Sequence, residues 1–120
     1  MRARLQTLVD KLFDPSVAGH ELRRAAFDRV VALTEGVRAD AANLERLPAA
    51  LAAWVERVAR GAWEIGDEDV ARLRAAGIDE DTIFETTVAA AVGAGIARYR
   101  IAARAIEAAA ATATATAKGG

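Results

Sequence analysis

Positions 80–109 contain no proline, and their only glycines are Gly93 and Gly95. Asp79 stands where a capping residue belongs, and Glu80 and Asp81 follow in the first turn, where the helix dipole favours acids. The stretch predicts one helix over 80–109, roughly 45 Å long at 1.5 Å per residue. A chain of 120 residues must fold around an element of that length. Between positions 87 and 97 this helix carries no charge on any side. Phe84, Val88, Ala91, Gly95, Tyr99, Ala102 and Ile106 form one apolar stripe. Ile83, Thr87, Ala90, Ala94, Ala97, Ile101 and Ala105 form a second, about 100° away and mostly of small residues. The remaining faces carry Ala89, Val92, Gly93 and Ile96. A helix apolar all round must be covered all round, and so short a chain has few other elements to do it. The expectation is a homo-oligomer.

Those other elements are readable too. Leu5, Leu8, Val9, Leu12 and Phe13 recur at helical spacing and predict a helix over 2–13, ended by Asp14-Pro15. Leu22, Ala25, Ala26, Val30 and Leu33 predict a second over 18–35, closed near Gly36. Pro48 suits a first turn, and Leu51, Trp54, Val55 and Val58 give the apolar face of a third over 48–61. A short helix over 67–76 opens with Asp67, Glu68 and Asp69 and stops at Gly77. Ala-Thr alternation over 111–120 has no large side chain to bury and reads as a flexible, low-complexity tail. The architecture expected is all-α: one helical domain over 1–110 with about five helices. With aromatics at only 5%, the chain lacks the residues a sheet would need.

The run Leu73-Arg74-Ala75-Ala76-Gly77-Ile78-Asp79-Glu80-Asp81-Thr82-Ile83-Phe84-Glu85, continued by the small-residue helix from Val88 to Gly95, resembles the carboxymuconolactone decarboxylase and alkylhydroperoxidase-D-like family. The likeness spans about 55–99 and implies that family's helical fold, with a trimer or hexamer as the favoured assembly. Redox-active members carry a Cys-x-x-Cys-x-x-x-His motif before the Ala-Gly stop. Counting back from Gly77 sets Ala62 and Ile65 at the cysteine positions and Asp69 at the histidine position. The chain has no cysteine, so thiolate attack on a peroxide is ruled out. Asp69 is the residue the alignment nominates as an acid or base, and Glu85 is a second carboxylate of the same region. An ordinary aspartate pKa suits neutral-pH base chemistry poorly unless burial raises it. The resemblance also sets the family's site where the third helix, the following turn and the long helix meet, and Trp63 falls there.

Trp54, Trp63 and Tyr99 are therefore candidates to line a pocket for an apolar ligand, or to fill the volume of a lost site. The acids near the two helix starts are explained by capping, and Asp79-Glu80-Asp81 does not continue as a calcium loop, because Phe84 stands at its glycine position. His20 has Arg23 and Arg24 at the spacings a second metal ligand would occupy. Arg98, Arg100 and Arg104 make a small basic cluster suited to the end of a helix. Neither a metal nor a cofactor is expected. A net charge of −1 lacks the footprint of a nucleic-acid binder, and no apolar run reaches bilayer length. A cytoplasmic protein is the expectation. Three functions fit: a non-redox oligomeric binding or scaffold protein, an enzyme using Asp69 or Glu85, or a binder of a small apolar molecule.

Overall fold

The structure, a computed structural model, describes residues 4, 6, 7, 9, 10, 20–36 and 46–119, with side chains through 114. Four helices follow one another: α1 (His20–Glu35), α2 (Ala49–Gly61), α3 (Asp67–Ala75) and α4 (Glu80–Gly119). A 3-10 turn, Ala62–Glu64, joins α2 to α3. No strand occurs among the described residues, and the fold is all-α as expected. Residues 4, 6, 7, 9 and 10 are helical, in keeping with the predicted amino-terminal helix; the Asp14-Pro15 stop lies outside the described residues.

Local chemistry accounts for the helix ends. At the close of α3 the Ile78 N–H donates to the Leu73 carbonyl (3.1 Å) and the Gly77 N–H to that of Arg74 (3.0 Å). This is a Schellman stop, and it needs the left-handed backbone that Gly77 adopts at φ 87°. Asp79 then accepts the Thr82 N–H at 2.7 Å and caps α4. Pro48 lies one position before α2 and supplies the carbonyl for the Ala52 N–H (2.9 Å).

The extent of α4 departs from expectation. It continues through the Ala-Thr segment to Gly119 instead of ending near 109. Alanine has the highest helix propensity, and Thr112 and Thr114 donate their hydroxyls to the carbonyls of Ala108 and Ala110 (3.0 and 2.9 Å). At 40 residues α4 is about 60 Å long. It sets the 65 Å long axis of the molecule and a radius of gyration of 17.5 Å, against about 13.5 Å for a compact domain of this size.

Both α1 and α2 pack along the first half of α4. Arg23 pairs with Glu85, Phe27 lies against Gly93, and Glu35 meets Arg100 and Arg104, so α1 runs parallel to α4. The α1 backbone comes so close that a Cβ on Gly93 would stand 3.1 Å from the Phe27 carbonyl oxygen. The core between them holds Ala25, Ala26, Val30, Leu51, Val55, Ala89, Ala90 and Ala94. Burying Val30, Leu51 and Val55, each almost fully enclosed, contributes about 1.5–3 kcal/mol apiece. The small-residue stripe predicted on α4 is therefore covered from within the chain, but only as far as Ala97; Ile101 and Ala105 are exposed. No helix among the described residues is long and apolar enough to cross a membrane.

Candidate functional site

Two regions gather the residues singled out above, and they lie on different parts of the surface. The first is a small cavity of about 180 Å³ between α2 and α3, lined by Ala50, Ala53, Trp54, Arg57, Asp69, Arg72 and Leu73. Asp69 sits at the third position of α3, where its carboxylate reaches back to accept the Gly66 N–H at 2.9 Å. That is the acid half of a capping box. Its other oxygen accepts from Arg57 at 2.5 Å, and Arg72 stands 3.9 Å away.

The Gly66 N–H, followed by the Arg57 and Arg72 guanidiniums, holds the Asp69 carboxyl below the ordinary aspartate value of 3.8; burial, which opposes them, does not prevail. A general base at neutral pH needs the opposite shift. In this setting Asp69 starts α3 and ties it to α2. Asp79 is lowered likewise, by its side-chain and backbone hydrogen bonds with Thr82. Glu85, the second carboxylate, receives a hydrogen bond at 3.2 Å from Arg23, whose side chain is almost wholly buried. That pair fastens α1 to α4.

The three aromatics do not share a pocket. Trp54 is buried; its indole N–H donates to the Thr87 hydroxyl at 2.7 Å, and that hydroxyl donates in turn to the Ile83 carbonyl at 2.6 Å. Trp63, on the 3-10 turn, is 82% exposed and neither fills a core nor lines the cavity near Asp69. Tyr99 edges a separate groove of about 370 Å³, between Gln6 and Val9 on one side and Ile96, Arg100 and Glu107 on the other. The three candidates for pocket lining or core filling thus stand on different elements: Trp54 in the core beside the small cavity, Trp63 on the exposed turn and Tyr99 at the groove beside Gln6 and Val9. A 3-10 turn directs Trp63 outward, which hydrophobicity alone could not reveal.

The second region is the outer face of α4. Phe84, Val88, Ala91, Gly95, Tyr99, Ala102 and Ile106 are all exposed, with Phe84 at 70% and Ile106 at 69%. At 100° per residue this face lies opposite the arc of Thr86, Ala89, Ala90, Gly93 and Ala97 that α1 and α2 cover. Among the described residues, Gln6 and Val9 flank it at Tyr99, and the rest of the stripe stays exposed.

The chain matches no family model, no curated protein and no solved structure.

Sequence reasoning underrated the arginines. Arg98 donates to the Ala59 carbonyl at 2.7 Å, satisfying an acceptor in the last turn of α2. Arg100 and Arg104 both approach Glu35, the final residue of α1, at 3.8 and 3.4 Å. The basic cluster was legible. Its role in pinning both covering helices at their ends was not, because its partners are 39 to 69 residues away in the chain.

Proposed function

We propose that this chain is a cysteine-free helical protein, akin to the alkylhydroperoxidase-D-like family, that works as an oligomeric binding or scaffold unit through the outer face of α4. The observation that carries this reading is the uncovered stripe from Phe84 to Ile106. An apolar strip on the longest element, at 180° from the side packed by the chain itself, is what an interface leaves behind when its partner is taken away. What supports the family kinship is the sequence pattern of an Ala-Gly stop, the Asp79 cap and a long alanine-rich helix, features that other helical proteins also use.

Acid or base chemistry at Asp69 has less support, since its neighbours stabilise the ionised form. Apolar walls from Ala50, Ala53, Trp54 and Leu73 favour a second reading for the small cavity, a site for a compact apolar molecule. Light scattering at about 100 µM tests the main reading. A species heavier than the 12.6 kDa chain is expected, and Phe84→Asp should return it to one chain with an unchanged helical spectrum. A wild-type protein that stays at one chain mass defeats it.

A further inference from the structure

The outer face of α4 has an internal symmetry that bears on what covers it. From Phe84 through Val88, Ala91, Gly95, Tyr99 and Ala102 to Ile106 the spacings are four, three, four, four, three and four. The order reads the same from either end, with Gly95 at the centre and eleven residues on each side. An eleven-residue repeat averages 3.67 residues per turn, close enough to the helical 3.6 that the stripe stays on one side of the helix for about 33 Å.

We infer that this face binds a second copy of the same chain, antiparallel and about a two-fold axis through Gly95. Such an axis requires a self-complementary surface, and the stripe supplies one. Residues whose numbers sum to 190 then oppose each other. Phe84 meets Ile106, Val88 meets Ala102, Ala91 meets Tyr99, and Gly95 meets Gly95. Two of these pairs set a large side chain against an alanine, and the centre sets no side chain against none, so the two backbones can approach closely. A parallel pair fits worse. It would stack Phe84 on Phe84 and Tyr99 on Tyr99, leave gaps at Ala91 and Ala102, and bring two acidic helix starts, Glu80 and Asp81, together. The antiparallel pair separates these acids by the length of the contact.

Gly95 is the second observation. A glycine inside an exposed helix costs about 1 kcal/mol relative to alanine. Nothing among the described residues accounts for it: a Cβ at Gly95 would meet none of their atoms within 4 Å, whereas at Gly93 it would meet the α1 backbone. Close approach by a copy accounts for Gly95 as α1 accounts for Gly93.

The area is sufficient as well. From the exposure of Phe84, Val88, Tyr99 and Ile106, each chain offers on the order of 500 Å² of apolar surface, as large aromatic and aliphatic side chains do. Two such faces reach the roughly 1,000 Å² that a specific interface needs. Both α1 and α2 pack on the opposite side of α4, and among the described amino-terminal residues Gln6 and Val9 stand beside Tyr99 at the edge of the stripe, so Phe84, Val88, Gly95 and Ile106 remain open to a partner.

This inference rests on the oligomeric reading above, and cysteine cross-linking separates the two. The chain has no cysteine, so introduced thiols react without background. Val88→Cys and Ala102→Cys lie at exposed positions and should leave the helical spectrum unchanged. Mixed, they should oxidise rapidly to a linked dimer. Alone, neither should link to itself, since Val88 and its copy lie about 20 Å apart along the pair, far beyond disulfide reach. Gly95→Leu keeps or improves helix propensity but blocks the crossing, and should raise the dimer dissociation constant at least about a hundredfold. Rapid self-linking by either single variant, or a wild-type mass of three chains, which has no two-fold axis, overturns the antiparallel pair while leaving an oligomer in place. Unchanged association by Gly95→Leu overturns it too. A wild-type chain that remains at one chain mass overturns both readings.

Discussion

Ala94 and Ala108 belong to the same helix, yet Ala94 is buried between α1 and α2 while Ala108 faces solvent. The contrast holds for the two halves of α4 as a whole. Up to Ala97 the helix supplies Ile83, Ala89, Ala90, Ala94 and Ile96 to the core. Beyond Arg98 every residue through Thr114 is exposed, save the half-buried Ala103. Composition hardly differs between them, since both are rich in alanine. The first half is held by packing. The second is held by intrinsic propensity and by its covalent continuity with a helix already nucleated, which spares it the cost of a first turn. Arg98, Arg100 and Arg104, which pin the ends of α2 and α1, mark the border between the two.

The sharpest way to break this comparison is to place one charge in each half. Ala94→Arg buries a guanidinium against α1 and α2 and should cost at least 3–5 kcal/mol, enough to unfold a marginal domain. Ala108→Arg should change stability by no more than about 0.5 kcal/mol. Urea unfolding followed by circular dichroism measures both, and equal losses would refute the division.

Hydrogen exchange sharpens it at each peptide. Amides of Ala89, Ala90 and Ala94 should open only with global unfolding, whereas those of Ala108 to Thr114 should open locally and exchange at least about a hundredfold faster. Uniform protection along α4 would mean that the distal half is covered by something outside the described chain.

Smaller effects come from the two glycines. Gly93→Ala gains helix propensity but drives a Cβ into the Phe27 carbonyl oxygen, and should cost about 1 kcal/mol net. Gly95→Ala meets no atom of the described residues, and at dilutions where the chain is alone it should stabilise by about 0.5–1 kcal/mol. Opposite signs in thermal unfolding are the expected result; equal signs would mean that α1 does not press on Gly93.

The smallest effect is acid sensitivity. Asp69 and Asp79 have folded-state pKa values below the ordinary 3.8, so the stability they contribute is complete above that value and fades as pH falls through the lowered ones. Melting temperature should be level above about pH 5 and decline below pH 4. Asp69→Asn should flatten part of that decline and lower the neutral-pH midpoint by a few degrees. A midpoint that rises on acidification would contradict the assigned roles.

How much of this was legible follows from the range of each interaction. The stops and starts at Gly77, Asp79 and Pro48 were readable because they depend on backbone geometry and on bonds spanning at most five residues. The distal end of α4 departs from the expectation because Ala-Thr alternation offers nothing to bury, yet alanine holds a helix by propensity alone once the preceding turns are formed. The family pattern nominates Asp69 as an acid or base, but the arginine that pairs with it comes from α2, twelve residues back, and no local pattern marks that contact. Trp63 carried no local signal for its exposure.

What the sequence by itself determined is a helical chain with a long, chargeless, two-striped axis, because periodicity and helix-end chemistry are local properties. It could not say which stripe the chain would cover from within. Tertiary structure decided that: α1 and α2 took the face of Gly93, Ala89, Ala90, Ala94 and Ala97 and left out the one bearing Phe84, Tyr99 and Ile106. Small residues let two backbones come within van der Waals reach, as the Phe27 carbonyl does at Gly93, and close approach gains dispersion contact and excludes water where the helices touch. Large side chains would have held α1 away, so they were left facing outward.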